Sequence, residues 1–152
     1  MSFFSALRTS ASGLTAQRLR MDLISNNIAN AETTRTAEGG AFHRQMALFT
    51  PKTEGRVPFF NLLRGDVQRG QVPGLETEGV QTLQIVEDQA PMRMVYDPSH
   101  PDANEKGYVE YPNVNPITEM TDMLSATRSY EANVTVLNAA KAMAQRALDI
   151  GR

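Results

Sequence analysis

The chain has 152 residues, of which 21% are charged and 41% are hydrophobic, with a formal net charge of −2 and no cysteine. This length suits one domain with its own core, and the small net charge gives no electrostatic basis for binding nucleic acid or an anionic membrane surface. The lack of cysteine excludes disulfides and thiolate metal sites. No segment reaches the ~18–20 apolar residues of a membrane span, so we expect a protein that does not itself span the membrane.

The N-terminus, MSFFSALRTSASGLTAQRLR, lacks the apolar core of a secretory signal peptide. If the protein leaves the cytoplasm, we therefore expect it to do so without a cleaved signal.

The same N-terminal segment has a helical pattern. Apolar residues recur every seven positions, at Leu7, Leu14, Met21 and Ile28, and Phe3 and Ile24 fall on companion positions, so that together they form an apolar seam. The pattern predicts a helix from residue 2 to about 31, inside an N-terminal unit spanning 1–34. Polar and small residues interrupt the seam and weaken it as an isolated helix, so we expect it to complete its packing against other molecules.

Asparagines crowd the end of this helix, in the stretch LISNNIANAETTRT, although asparagine is a poor helix former. The side chains of Asn26, Asn27 and Asn30 could bind a polar ligand, or they could end the helix by bonding to turn backbone. A third explanation is that their amides fix the register between subunits, as a buried polar residue does in a coiled coil. We favour the third explanation.

The C-terminal segment, 115–152, predicts a stronger helix. Asn115 suits the N-cap, and Pro116 suits the first helical position, where its missing N–H costs nothing. One side of the helix is rich in alanine, and the apolar stripe consists of Met120, Met123, Tyr130, Val134, Leu137 and Leu148. Because each end of the chain has an apolar seam, we predict that the terminal helices pack as a coiled coil and that their seams also pack against other subunits.

The middle of the chain, 35–114, is rich in glycine and proline and contains short alternating runs, among them FHRQMALF, VQTLQIV and MRMVY. Alternation of this kind predicts strands. The expected fold class is α+β, with a small β-rich domain of extended loops inserted between two long terminal helices.

Candidate catalytic groups are few. The chain has two histidines, His43 and His100, and the loop YDPSHPDANEKGY could offer Asp97, His100, Asp102 and Glu105 as metal ligands. A proline-bounded surface loop whose polar side chains form local turns explains the same residues more simply. We therefore predict no catalytic site, no metal and no cofactor.

Two stretches resemble a known family. The segment SNNIANAETT, preceded by ALRTSASGLTAQRLRMDLI, resembles the N-terminal signature of the axial proteins of the bacterial flagellum, whose motif falls on Ser25, Asn26, Asn27, Ile28, Ala29, Asn30 and Thr33. The pieces YDPSHPDA, GYVEYPNVN and SYEANVTVLNAAK are similar to the proximal rod members of that family. The resemblance covers both ends of the chain, about two-thirds of it, and the stretch from about 37 to 90 is less diagnostic.

This resemblance implies a structural subunit of the flagellar basal-body rod, the drive shaft that crosses the periplasm. It implies export through the flagellar export apparatus, and terminal helices that polymerise into the inner layer of a tube and transmit torque. The partners would be proximal and distal rod subunits and the inner-membrane ring with its rod adaptor. A distal rod or hook-type subunit, a freestanding coiled-coil dimerisation module and a small metal-dependent domain using Asp97, His100 and Asp102 are the alternatives.

Overall fold

The computed structural model describes residues 3–37, 39–53 and 77–150. Its elements, in chain order, are α1 (Phe3–Ala29), β1 (Gln45–Thr53), β2 (Thr77–Glu87), β3 (Arg93–Tyr96), β4 (Tyr108–Tyr111) and α2 (Pro116–Ile150). Along the chain, two long terminal helices thus flank two pairs of antiparallel strands, which confirms the α+β fold class. Neither described helix is long and apolar enough to cross a membrane.

The start of α2 follows the prediction. The Asn115 side-chain oxygen accepts the backbone N–H of Ile117 at 3.0 Å and that of Thr118 at 3.5 Å. Pro116 occupies the first helical position, and the first helical bond runs from the Glu119 N–H to the Asn115 carbonyl at 3.0 Å. The cap therefore satisfies donors that the first helical turn would otherwise leave unpaired.

The two helices pack antiparallel. Asn27 meets Glu119 near one end, and the Thr127 hydroxyl lies 3.6 Å from the Met21 sulfur further along. Most of the predicted seam is buried or half-buried, namely Leu7, Leu14, Met21, Ile24, Met123, Tyr130, Val134 and Leu137. Two seam residues are not: Met120 is 56% exposed and Leu148 is 74% exposed. Buried alanines at 126 and 140 let the helices approach closely.

Strands β1 and β2 form an antiparallel ribbon that lies against the other side of α1. Its register changes between Leu48 and Phe49, where β2 contains Leu83 as an extra, unpaired residue. Asn27 contacts the first residue of β1, and the Ser12 hydroxyl accepts the Val80 N–H at 3.0 Å. Within one chain, α1 thus packs against both α2 and the ribbon. That its seam also packs against other molecules stays a prediction.

Strands β3 and β4 form a second antiparallel pair, in register from Arg93 with Tyr111 to Tyr96 with Tyr108. The Tyr96 and Tyr108 rings meet edge-to-face at 5.3 Å, and the Arg93 guanidinium lies 5.1 Å from the Tyr111 ring centre. None of the alternating runs in the sequence predicted β4, which has four residues. It supplies Val109, which is fully buried.

The predicted run FHRQMALF is also only partly a strand, since β1 begins at Gln45. The Arg44 N–H is bonded to the Asn113 side chain, which holds the preceding segment outside the ribbon.

We expect Gly79→Ala to destabilise the fold by about 2–4 kcal/mol, as measured by urea unfolding. Gly79 has φ of +98°, and a Cβ there would clash with the Ser12 side chain. Gly40→Ala is the matched control, because Gly40 has φ of +82° but open space around it, and it should cost only about 1 kcal/mol. Equal losses in the two variants would show that the contact between α1 and the ribbon contributes nothing.

Candidate functional site

The asparagine at the centre of the motif, Asn27, is bonded to the backbone of Gln45. Its Oδ1 accepts the Gln45 N–H at 2.9 Å, and its Nδ2 donates to the Gln45 carbonyl at 2.9 Å. This pair of bonds is the one that a residue of a neighbouring strand would make, because the asparagine amide has the same donor and acceptor as a peptide. Asn27 is 1% exposed, so its side chain pairs with the first residue of β1 on the buried side of the fold.

The second Nδ2 hydrogen of Asn27 reaches α2. Asn27 donates to Glu119 Oε2 at 3.1 Å, and the Nε of Arg44 donates to Glu119 Oε1 at 2.6 Å. Glu119 is 1% exposed, and it lies in the first turn of α2, where the helix dipole favours a negative charge. We call Asn27, Arg44 and Glu119 the polar junction, since they connect the end of α1, the start of β1 and the start of α2.

Further contacts hold Arg44 in place. Its guanidinium lies 3.7 Å from the Asp122 carboxylate and 3.8 Å from that of Asp88. The Arg44 N–H donates to the Asn113 side chain at 3.0 Å, and the Asn113 amide donates to the carbonyls of Asp88 and Ala90, both at 3.2 Å. The loop before α2 is therefore bonded to the residue before β1 and to the segment after β2.

The other motif residues end α1. The Asn30 amide donates to the carbonyl and to the side-chain oxygen of Asn26, both at 2.9 Å, and it accepts the Thr33 hydroxyl at 3.2 Å. Ser25, Asn26 and Ala29 are exposed, whereas Ile28, Asn30 and Thr33 are half-buried. The bonds of Asn27 and Asn30 are thus made within the chain. That these amides set the register between subunits stays a prediction.

The loop between β3 and β4 holds its polar side chains in local bonds. Hydrogen bonds from the Ser99 hydroxyl, and then from the Ser99 N–H, hold the pKa of Asp97 below its ordinary value of 3.8. The Asp102 N–H donates to His100 Nδ1 at 3.1 Å. The Thr34 hydroxyl donates to the Asp102 carboxylate at 2.8 Å, which ties this loop to the segment after α1. Among the residues that the structure describes, no cluster of three or more histidine and acidic side chains could hold a metal.

An open cleft of about 500 Å³ lies beside this loop, lined by Arg35, Gly40, Pro101, Asp102 and Tyr108 among others. The Arg35 guanidinium lies 3.8 Å from the Asp102 carboxylate in this cleft. The cleft therefore lies between two loops that this ion pair and the bond from Thr34 to Asp102 connect.

The outer side of α2 has an apolar surface. Ile117 is 77% exposed, Met120 56% and Leu124 62%, and their spacing places them on one side of the helix. We call these three residues the outward stripe. They lie opposite Ala126, which is fully buried in the described fold. Val136 and Met143 form a second exposed apolar group further along α2. The described part of α2 thus has large apolar residues exposed on the side away from α1 and again nearer its end.

Two protein families match the helical ends of the chain. The family described as flagella basal body rod protein matches residues 7–35, which include the asparagine motif. The family described as flagellar basal body rod FlgEFG protein C-terminal matches residues 105–150, which include all of α2. The fold and these matches define the chain as a flagellar rod protein.

Relatives match it over its full length. A protein of Borreliella burgdorferi is 45% identical over 99% of this chain and 98% of its own. Proteins of Bacillus subtilis and Escherichia coli O6:H1 are 45% and 34% identical, each over 100% of both chains. All three are named flagellar basal-body rod protein FlgC. The chain belongs to the FlgC family, and it is a structural subunit of the flagellar basal-body rod.

Sequence reasoning placed Asn27 in the motif but missed its partners. Arg44 is 75 residues from Glu119 along the chain, and neither had been singled out as a site residue. A glutamate in the first turn of a helix is ordinary, and only its burial shows that it needs donors.

We expect Asn27→Asp to lower the free energy of unfolding by about 3–5 kcal/mol. The substitution keeps the size and one acceptor, but it places a carboxylate oxygen against the Gln45 carbonyl and the Glu119 carboxylate. The control is Asn26→Asp, the same substitution at the exposed neighbouring residue, which should lower the free energy of unfolding by about 0.5 kcal/mol or less. Chemical denaturation measures both, and similar values for the two variants would contradict the role assigned to Asn27.

Because the pKa of Asp97 is lowered in the folded chain, the sign of its effect on stability as the pH changes is known. A carboxylate with a folded pKa below its unfolded value stabilises the fold above the unfolded pKa, and this contribution is lost as the pH falls through the folded pKa. We therefore expect Asp97→Asn to be less stable than the wild type at about pH 6 and the gap to narrow at about pH 3. A gap that is the same at both pH values in urea unfolding would contradict this assignment.

Proposed function

We propose that this subunit is built into the flagellar rod through α2, with the outward stripe as a contact surface for a neighbouring subunit. The observation that supports this most directly is the exposure of Ile117, Met120 and Leu124 on a helix whose opposite side is already occupied by α1. Burying apolar area is worth about 25 cal/mol per Å², so three large side chains can supply a substantial part of a subunit contact.

The position of the exposed groups favours an open assembly. The outward stripe lies near the start of α2, while Val136, Met143 and Leu148 lie nearer its end and on other sides of the helix. A subunit whose neighbours contact different surfaces forms head-to-tail interfaces, which generate helical polymers when the rotation does not close. A freestanding dimerisation module would instead present one self-complementary surface. We assign the exposed seam residues Met120 and Leu148 to such contacts.

In this proposal the terminal units 1–34 and 115–152 form the inner layer of the rod and the unit 35–114 lies outside. The other seam residues hold the helix pair together. The neighbours are proximal and distal rod subunits, with the inner-membrane ring and its rod adaptor at the base. The subunit reaches the rod, which crosses the periplasm, through the flagellar export apparatus and without a cleaved signal.

The proposed role is mechanical and not catalytic. Torque passes between subunits as shear across close-packed side chains, and packed interiors transmit strain because they are hardly compressible. The polar junction supports this role, because it connects both helices to the ribbon at one buried point. The charged side chains of the junction pair with each other in structural bonds.

We expect the double substitution Met120→Glu and Leu124→Glu to prevent incorporation into basal bodies, because two carboxylates would be buried without partners in the subunit contact. The test is expression in Bacillus subtilis lacking its own FlgC, with motility and the subunit content of isolated basal bodies as the measurements. Unfolding of the purified variant should change little, since both residues are exposed.

The control is Asn138→Glu, an exposed residue further along the same helix, which should support motility as the wild-type chain does. Normal incorporation of the variant with Met120→Glu and Leu124→Glu would show that the outward stripe is not a contact between subunits.

A further inference from the structure

The contact surface between α1 and α2 does not by itself select one alignment. Much of it is small, with Ala126 and Ala140 buried on α2 and Gly13 of α1 facing Asn133. Rows of small and apolar side chains repeat at each helical turn, so a shift of α2 by one turn buries a similar area. Packing alone leaves several alignments close in free energy.

The polar junction removes this ambiguity. A shift of four residues moves α2 by about 6 Å along α1, which takes Glu119 out of hydrogen-bonding reach of Asn27. In the shifted alignments Glu119 would lie at the level of Leu23 or of Ala31, both of which are buried and apolar. A buried carboxylate without donors is strongly unfavourable.

From this geometry we propose that the polar junction sets the register of α1 and α2, so that only one antiparallel alignment is stable. The Asn27 amide is fully used by Gln45 and Glu119, so it has no bond to offer a shifted neighbour. Arg44 is held from outside α2 by Asp88 and by its own N–H, which is bonded to Asn113. Asn113 is bonded in turn to the carbonyls of Asp88 and Ala90, so these contacts oppose a movement of Arg44 with α2.

The alignment matters for the surface that the subunit presents. The outward stripe lies on α2, whereas the ribbon lies on α1. A slip of one turn would displace the stripe by about 6 Å relative to the ribbon. The inference concerns a single chain and holds whether or not the stripe contacts a neighbour.

The chain contains no cysteine, so introduced cysteine pairs report the alignment without interference. The native reporter is Gly13→Cys with Asn133→Cys, because a Cβ at position 13 would lie 3.5 Å from Asn133 Cγ. The slipped reporters combine Gly13→Cys with Ser129→Cys or with Leu137→Cys, one turn away in either direction. Each pair is placed in the native background and in an apolar background carrying Arg44→Met and Glu119→Met, which keeps the bonds of Asn27 to the Gln45 backbone.

In the native background we expect only the 13–133 pair to form a disulfide readily under mild oxidation. In the apolar background the helical circular dichroism and the thermal midpoint should be kept or raised, because apolar residues can replace a buried ion pair without loss. The two slipped pairs should then form disulfides at least about tenfold faster than in the native background, since nothing buried opposes the shift.

Asp122→Met is the control, because it removes a carboxylate 3.7 Å from the same guanidinium while keeping the junction, and it should leave only the 13–133 pair reactive. Exclusive 13–133 cross-linking in the apolar background would overturn the proposal, since the alignment would then be set by packing. Loss of the helical signal in that background would also overturn it, because the junction would then be a stabilising element.

Discussion

The burial of one carboxylate constrains much of this structure. Glu119 is almost inaccessible to water, and its two oxygens take hydrogen bonds from Asn27 of α1 and from Arg44 at the start of the ribbon. A charge removed from water has to recover its lost solvation from fixed donors, and here those donors belong to two other parts of the chain. The end of α1, the start of β1 and the start of α2 are therefore positioned by the same requirement.

The two helices differ in how much of their apolar surface is covered within the chain. The helix α1 packs on one side against α2 and on the other against the ribbon, and its seam residues from Leu7 to Ile28 are buried or half-buried within the chain. The helix α2 is covered on one side and leaves Ile117, Met120 and Leu124 exposed on the other. Membership of the FlgC family gives this asymmetry a meaning, because a rod subunit needs a rigid interior and an apolar exterior that neighbours can cover.

Local signals in the sequence were interpreted correctly where the chemistry is local. The cap of α2 was predictable, because the fit of Asn115 and Pro116 depends only on adjacent backbone groups. The extent of α1 followed from its period of seven. The strand β4 was missed, although β3 is equally short and was predicted, because the position of β4 is set by its pairing with β3 across the intervening loop.

The sequence by itself determined the two helices, the α+β class and the family, since these depend on periodicity, caps and motif residues that are close in the chain. Only the tertiary structure showed which groups of the same chain the asparagine motif is bonded to. Asn27 pairs with the backbone of Gln45 and with Glu119, which lies 92 residues away. The partner of a buried polar group is set by the path of the whole chain, and a side chain shows its need for donors only once the fold has removed its water.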